Sequence, residues 1–254
     1  MTRAAAWCVQ RWLAFAGPRT RVPTPLLAPV AVAWGLMAQH GLSPDPHCHL
    51  SPSAELANWM FMVIAMMLPL LGPTLAELRR TTFPHTHAVA LSGFLGGWLA
   101  PWLLLAVPVA WLRQLTFAHW PALAGLTFLA AAAWMLTRWH ARALSRCHVR
   151  RPLAPHGVGL LRDVAREGWQ AGLACCVSCG PLMLACTLTG HSFIAMVGGL
   201  VLGWLERSTY RPAIRPAAAL ACALGVWFMV MAAPAPASAS LPSPRALALA
   251  SSPW

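Results

Sequence analysis

Residues 171–190 read AGLACCVSCGPLMLACTLTG. Cys175, Cys176, Cys179 and Cys186 stand there with Met183, in a run without a single charge. Thiolates and thioethers are soft ligands that select Cu(I) and related ions, whereas the carboxylates and waters that hard cations need are absent here. On a helix, at about 100° per residue, Cys175, Cys179, Met183 and Cys186 fall within roughly an 80° arc, and Cys176 widens it to about 100°. Five sulfur atoms would then line about 16 Å of one face. Cys175 and Cys179 sit one turn apart, close enough to share one ion. Pro181 removes a backbone hydrogen bond and frees the carbonyl of Val177. With Gly180 before it, this break could open room for a ligand.

Three further groups carry donors. The stretch NWMFMVIAMMLP places Met60, Met62, Met66 and Met67 ahead of Pro69; Met62, Met66 and Met67 would be ligands if that helix faced the cysteines. The segment PDPHCHLSP holds Asp45, His47, Cys48 and His49 between prolines and could collect a metal outside. Cys147, beside His148 and among arginines, could release it inside. Each group also has a plainer reading. Cysteine packs as a small hydrophobe, methionine fills cores, and a basic loop is ordinarily solvated. Glu206 next to Arg207 is expected to form an interfacial ion pair, and His119 and His191 are expected at span ends.

These residues need elements to position them. Only 9% of the 254 residues are charged and mean hydropathy is +0.60, far from a soluble domain at about 25% charged. Apolar stretches at about 26–39, 57–77, 88–111, 121–137, 169–189, 193–205 and 217–233 predict an all-α, polytopic transmembrane bundle of seven spans. Residues 1–21 form a basic interfacial segment, 22–233 the bundle and 234–254 a disordered Ala/Pro/Ser-rich tail. All 18 basic residues are arginines. With a cytoplasmic N-terminus, 16 of them fall inside and only Arg113 and Arg245 outside, as the positive-inside rule asks. The segment 138–170 reads as a polar, basic connection. The eight cysteines follow no secreted disulfide spacing.

Much chemistry is excluded. No phosphate-binding G-x-x-x-x-G-K-[ST], zinc-protease H-E-x-x-H or hydrolase G-x-S-x-G occurs, and the six acids make no paired-carboxylate site. No nucleic-acid-reading motif accompanies the net charge of +12. The chain is therefore not expected to be an enzyme or an ATP-driven pump, nor to bind nucleic acid.

Two blocks carry a resemblance. Trp59, Met62, Ala65, Met66, Met67 and Pro69 match W-x-x-M-x-x-A-M-M-x-P. The stretch Cys175-Cys176-Val177-Ser178-Cys179-Gly180-Pro181-Leu182-Met183 is similar to C-x-x-C-C-W-x-L-M, followed by a span ending in Glu206-Arg207 where Glu-Lys is usual. Cys147, His148 and Pro152 form a weaker third block. On these the chain resembles the DUF2182 family over about residues 55–207. That family is described as predicted metal-binding integral membrane proteins of bacteria, some labelled copper chaperone. Ser178 stands in place of an adjacent cysteine and Gly180 in place of tryptophan. The resemblance implies a multi-pass protein of the bacterial inner membrane.

The leading expectation is a Cu(I)-binding protein that handles or transfers the metal without ATP, with membrane lipid, the soft ion and a metal-accepting protein as partners. Its core ligands are Cys175, Cys179 and Met183, with Cys176 and Cys186 on the same face. A thiol–disulfide redox protein using Cys176 and Cys179, or Cys48 and Cys186, is the first alternative. A structural or assembly subunit whose cysteines only pack is the second.

Overall fold

The computed structural model describes residues 24–41, 51–115, 120–146, 153–208 and 214–232. The basic segment 1–21, the loop with His47, Cys48 and His49, His119, Cys147 and the tail 234–254 lie outside the described residues. Among the described residues every regular element is helical: α1 Thr24–Gly41, α2 Pro52–Met67, α3 Gly72–Thr81, α4 His87–Leu115, α5 Trp120–Met135, α6 Arg138–Arg146, α7 Gly157–Leu188, α8 Phe193–Ser208 and α9 Ile214–Ala232. The stretches expected to span are helical, except that 57–77 is divided at Pro69 between α2 and α3. Pro52–Thr81, Pro84–Leu112 and Gly157–Leu188 are long and apolar enough to cross a membrane, and Ala28–Gln39, Leu123–Met135 and Pro216–Met231 are shorter apolar helices.

The segment 138–170 differs from the expected basic connection. It supplies a separate amphipathic helix, α6, and the first four turns of α7. Thr137 caps α6, its Oγ1 accepting the His140 backbone N–H at 3.2 Å. His140, Ala143 and Leu144 are buried at i, i+3 and i+4, while Arg138, Trp139, Arg142 and Arg146 face outward. The guanidinium groups of Arg138 and Arg142 lie 5.8 and 5.2 Å from the centre of the Trp139 ring.

Glycine decides the main helix contact, α4 against α7. A Cβ on Gly97 would land on the Ala165 carbonyl, and one on Gly168 on the Phe94 carbonyl. One on Gly172 would come 2.5 Å from the Trp98 oxygen. Lipid does not drive apolar helices together, so small residues four apart win close backbone contact through dispersion. The α5–α9 pair uses Gly125 and Gly225 in the same way and stacks Phe128 on Phe228 at 5.5 Å.

Prolines break the backbone ladder on both sulfur-bearing helices, and tryptophans repair it. Pro69 frees the carbonyl of Ala65, which accepts the Trp34 indole N–H at 3.0 Å. Pro181 frees that of Val177, as the sequence requires, and Trp134 Nε1 donates to it at 2.9 Å. The α7 helix accordingly runs unbroken through Pro181. An orphaned carbonyl in hydrocarbon costs several kcal/mol, so the indoles tie α1 to α2 and α5 to α7 with some force. Trp134→Phe is expected to destabilise the detergent-purified protein by about 1–3 kcal/mol. In a Pro181→Ala background, which restores a backbone donor, the same change is expected to cost clearly less. Equal losses in a thermal-unfolding double-mutant cycle would contradict the repair.

Candidate metal centre

The sulfur face of α7 points into the bundle. Cys175, Cys179, Met183 and Cys186 are buried, as are Met62, Met66 and Met67 of α2. Cys176, at the edge of the calculated arc, is half-buried. The two sulfur-bearing helices do face each other, but their donors separate into two groups.

The first group is a thiol pair. Cys175 and Cys179 are hydrogen-bond neighbours one turn apart. The Cys175 thiol also points to Met67 Sδ at 3.9 Å. Ser178 lies beside the pair; its Oγ donates to the Cys175 carbonyl at 3.2 Å and lies 3.5 Å from Cys179 Sγ. Met67 is the last residue of α2, two before Pro69.

The second group lies further along α7. Met62 Sδ accepts from Thr187 Oγ1 at 4.0 Å. Met66 Cε and Cys186 Sγ close around Gly199 of α8, where an added Cβ would meet them at 2.5 and 3.2 Å. The Cys186 thiol donates to the Ala195 carbonyl at 3.4 Å. These are packing contacts with satisfied polar atoms. The structure therefore joins Cys175, Cys179 and Met67, and sets Met62, Met66 and Cys186 apart from them. Met183 is buried between the two levels of α7.

Around the thiol pair lie Glu206 and Arg207, expected as an interfacial ion pair, and His140, which the sequence did not single out. Glu206 is buried, 3% exposed, rather than interfacial, and its carboxylate faces His140. Arg207 turns to the sulfurs: Nη2 donates to Cys175 at 3.3 Å and to Cys179 at 3.5 Å. The reason is that α8 ends level with the start of the thiol stripe, so adjacent residues point to different partners around one site. His140 Nε2 lies 3.2 Å from Glu206 Oε1, both side chains almost wholly buried. The approach is off the line of a good hydrogen bond, and His140 Nδ1 has no hydrogen-bond partner among the described residues. Burial alone would lower the His140 pKa. The contact and charge of Glu206, with the nearby Cys179, outweigh this and hold it above its usual 6.5, against the opposing charge of Arg207. Two signals could have found these groups: an ionisable pair ending an apolar helix, and a histidine on the buried stripe of an amphipathic one.

His191 is also buried rather than interfacial. With Gly190 it forms the turn that ends α7, both at positive φ. His191 N–H donates to the Cys186 carbonyl at 3.2 Å and Gly190 N–H to that of Thr187 at 3.0 Å. This double bond pattern satisfies the last carbonyls of the sulfur-bearing helix.

Among the described residues no three His, Cys, Asp or Glu side chains come together to hold a metal. What the site offers is narrower: two thiols, one thioether and a fixed positive charge. That set suits a soft ion of low coordination number and does not suit a hard one. Residues 56–233 match the model of a family described as copper chaperone, PpoB2. The chain belongs to this copper chaperone family. The match takes in every buried sulfur described above, along with His140, Glu206 and Arg207. No curated protein and no solved structure matches the chain.

Proposed function

We propose that the protein is a multi-pass membrane copper chaperone that holds Cu(I) between Cys175 and Cys179, with Met67 as a third, weaker donor, and passes it on without ATP. The observation that carries this reading is the convergence of two buried thiols and a buried thioether, from helices distant in sequence, in a chain of a copper chaperone family. Thiolates gather the soft ion, and Met67 completes a shell poor in strong donors, so the ion is released as well as held. The chain crosses the bacterial inner membrane seven times with its N-terminus in the cytoplasm; the partition of arginines and the outward arginines of α6 support that orientation. In the same reading, His47, Cys48 and His49 collect the ion outside and Cys147 hands it to an accepting protein inside. The sequence resemblance to DUF2182 agrees with this role.

The test is metal content. Protein purified anaerobically in detergent and loaded with Cu(I) is expected to hold about one copper per chain, set by one thiol pair. Cys175→Ser/Cys179→Ser is expected to hold almost none, while Cys186→Ser keeps it. Equal copper in wild type and double variant, measured by mass spectrometry, would reject the site.

A further inference from the structure

We infer that the outward face of α6 is a docking site for the phosphate headgroups of anionic phospholipids. The inference needs α6 to lie at a membrane surface, as in the topology proposed above, and does not depend on the copper site. At about 100° per residue, Arg138, Arg142, Arg146 and Trp139 share roughly a 100° arc of the helix. The buried stripe of His140, Ala143 and Leu144 lies on the opposite side. All four outward side chains are exposed, Trp139 to 56% despite its large apolar ring. The guanidinium groups of Arg138 and Arg142 lie 5.8 and 5.2 Å from the centre of that ring, so one indole holds both in place. A guanidinium offers paired N–H donors that match phosphate oxygens. Tryptophan favours the level of the headgroups. Two residues separate α6 from the end of the apolar helix α5, and one of them, Leu136, is 63% exposed. The arginines therefore stand where hydrocarbon gives way to headgroups.

The chain supplies these charges with no partner of its own. Among the described residues Arg138, Arg142 and Arg146 form no ion pair. The six acids are committed elsewhere. Asp45 precedes α2 and Glu55 stands in its first turn, across the membrane in the proposed topology. Glu77 pairs with Arg80, Glu206 faces His140, and Glu167 is buried. Asp163 accepts the Ala154 backbone N–H at 3.1 Å. Negative charge must then come from outside the chain. A zwitterionic headgroup brings a cation beside its phosphate, which the arginines repel; an anionic headgroup does not. A soluble polyanion would satisfy the arginines but leave Leu136 and Trp139 in water.

The test titrates full-length protein in detergent with dioleoylphosphatidylglycerol or dioleoylphosphatidylcholine and counts bound lipid per chain by native mass spectrometry. The wild type is expected to bind the anionic lipid at least about tenfold more tightly, since each arginine near a surface is worth about fivefold. Arg138→Gln/Arg142→Gln is expected to lose most of that preference. Arg162→Gln/Arg166→Gln removes the same charge from exposed positions on the first turns of α7 and is expected to keep it. Equal losses in the two double variants would assign the preference to diffuse charge and overturn the site. The absence of any preference in the wild type overturns it without a variant. Inorganic phosphate that displaces the anionic lipid at equal concentration would make the ligand a free anion and reject the lipid assignment. None of these outcomes bears on copper content, which tests the metal site separately.

Discussion

Gly168→Ala is expected to be among the most damaging single-methyl changes in the protein. The new Cβ would fall on the backbone carbonyl of Phe94, which cannot rotate away as a side chain would. The α4 and α7 backbones must part, and with them the close contacts at Gly97 and Gly172. Overpacking of a well-packed contact costs about 1–3 kcal/mol and more where backbone must move. Gly168→Val is expected to prevent recovery of monodisperse protein. Gly35→Ala and Gly96→Ala are the controls, since an added Cβ there meets nothing within 4 Å. Relief of glycine's entropy makes those changes neutral or stabilising by up to about 1 kcal/mol. Thermal midpoints that are the same for Gly168→Ala and Gly96→Ala would show that the helices do not meet at this face. The consequence reaches the metal centre, because α7 carries both thiols and is seated by this contact.

The second large effect concerns His140 and Glu206. Removing one partner of a buried ion pair leaves the other charge uncompensated, at a cost of about 3–5 kcal/mol. His140→Leu is expected to fall in that range. His140→Leu/Glu206→Leu is expected to recover most of the loss, because an apolar pair of similar volume is often no worse than the ion pair. Additive losses in the double variant would mean that the two side chains are not coupled. The pH dependence follows with a definite sign. His140 is held above its usual 6.5, so the pair stabilises the fold fully below about pH 6.5 and loses that contribution as pH rises through the folded value. The wild-type thermal midpoint is expected to fall over that window, and His140→Leu to lack this component. A wild-type midpoint that rises across the same window would refute the assignment. Because His140 sits on the short helix α6, its partner also clamps that helix to the end of α8.

Much of the molecule was legible without coordinates. Hydropathy placed every stretch that became an apolar helix, because a backbone in lipid has few ways to satisfy its polar groups besides helix. Helical periodicity placed Cys175, Cys179, Met183 and Cys186 on one buried face and Cys176 at its edge. Proline chemistry named the free carbonyl of Val177 in advance. These are local properties, set by residue type and spacing along one chain segment.

Pairing between segments was not legible. The sequence offered Met62, Met66 and Met67 as equals, yet in the bundle Met67 meets the Cys175 thiol while Met62 meets Thr187 and Met66 packs at Gly199. It offered Glu206 and Arg207 as partners of each other. In the bundle one meets a histidine on α6 and the other the sulfurs of α7, since neighbouring side chains on a helix point about 100° apart. The donor that Val177 needed came from Trp134, more than forty residues away. Such choices depend on how helices are set against one another. That setting is decided by backbone-to-backbone contact at glycines such as Gly97 and Gly168, which no periodicity of charge or hydropathy encodes.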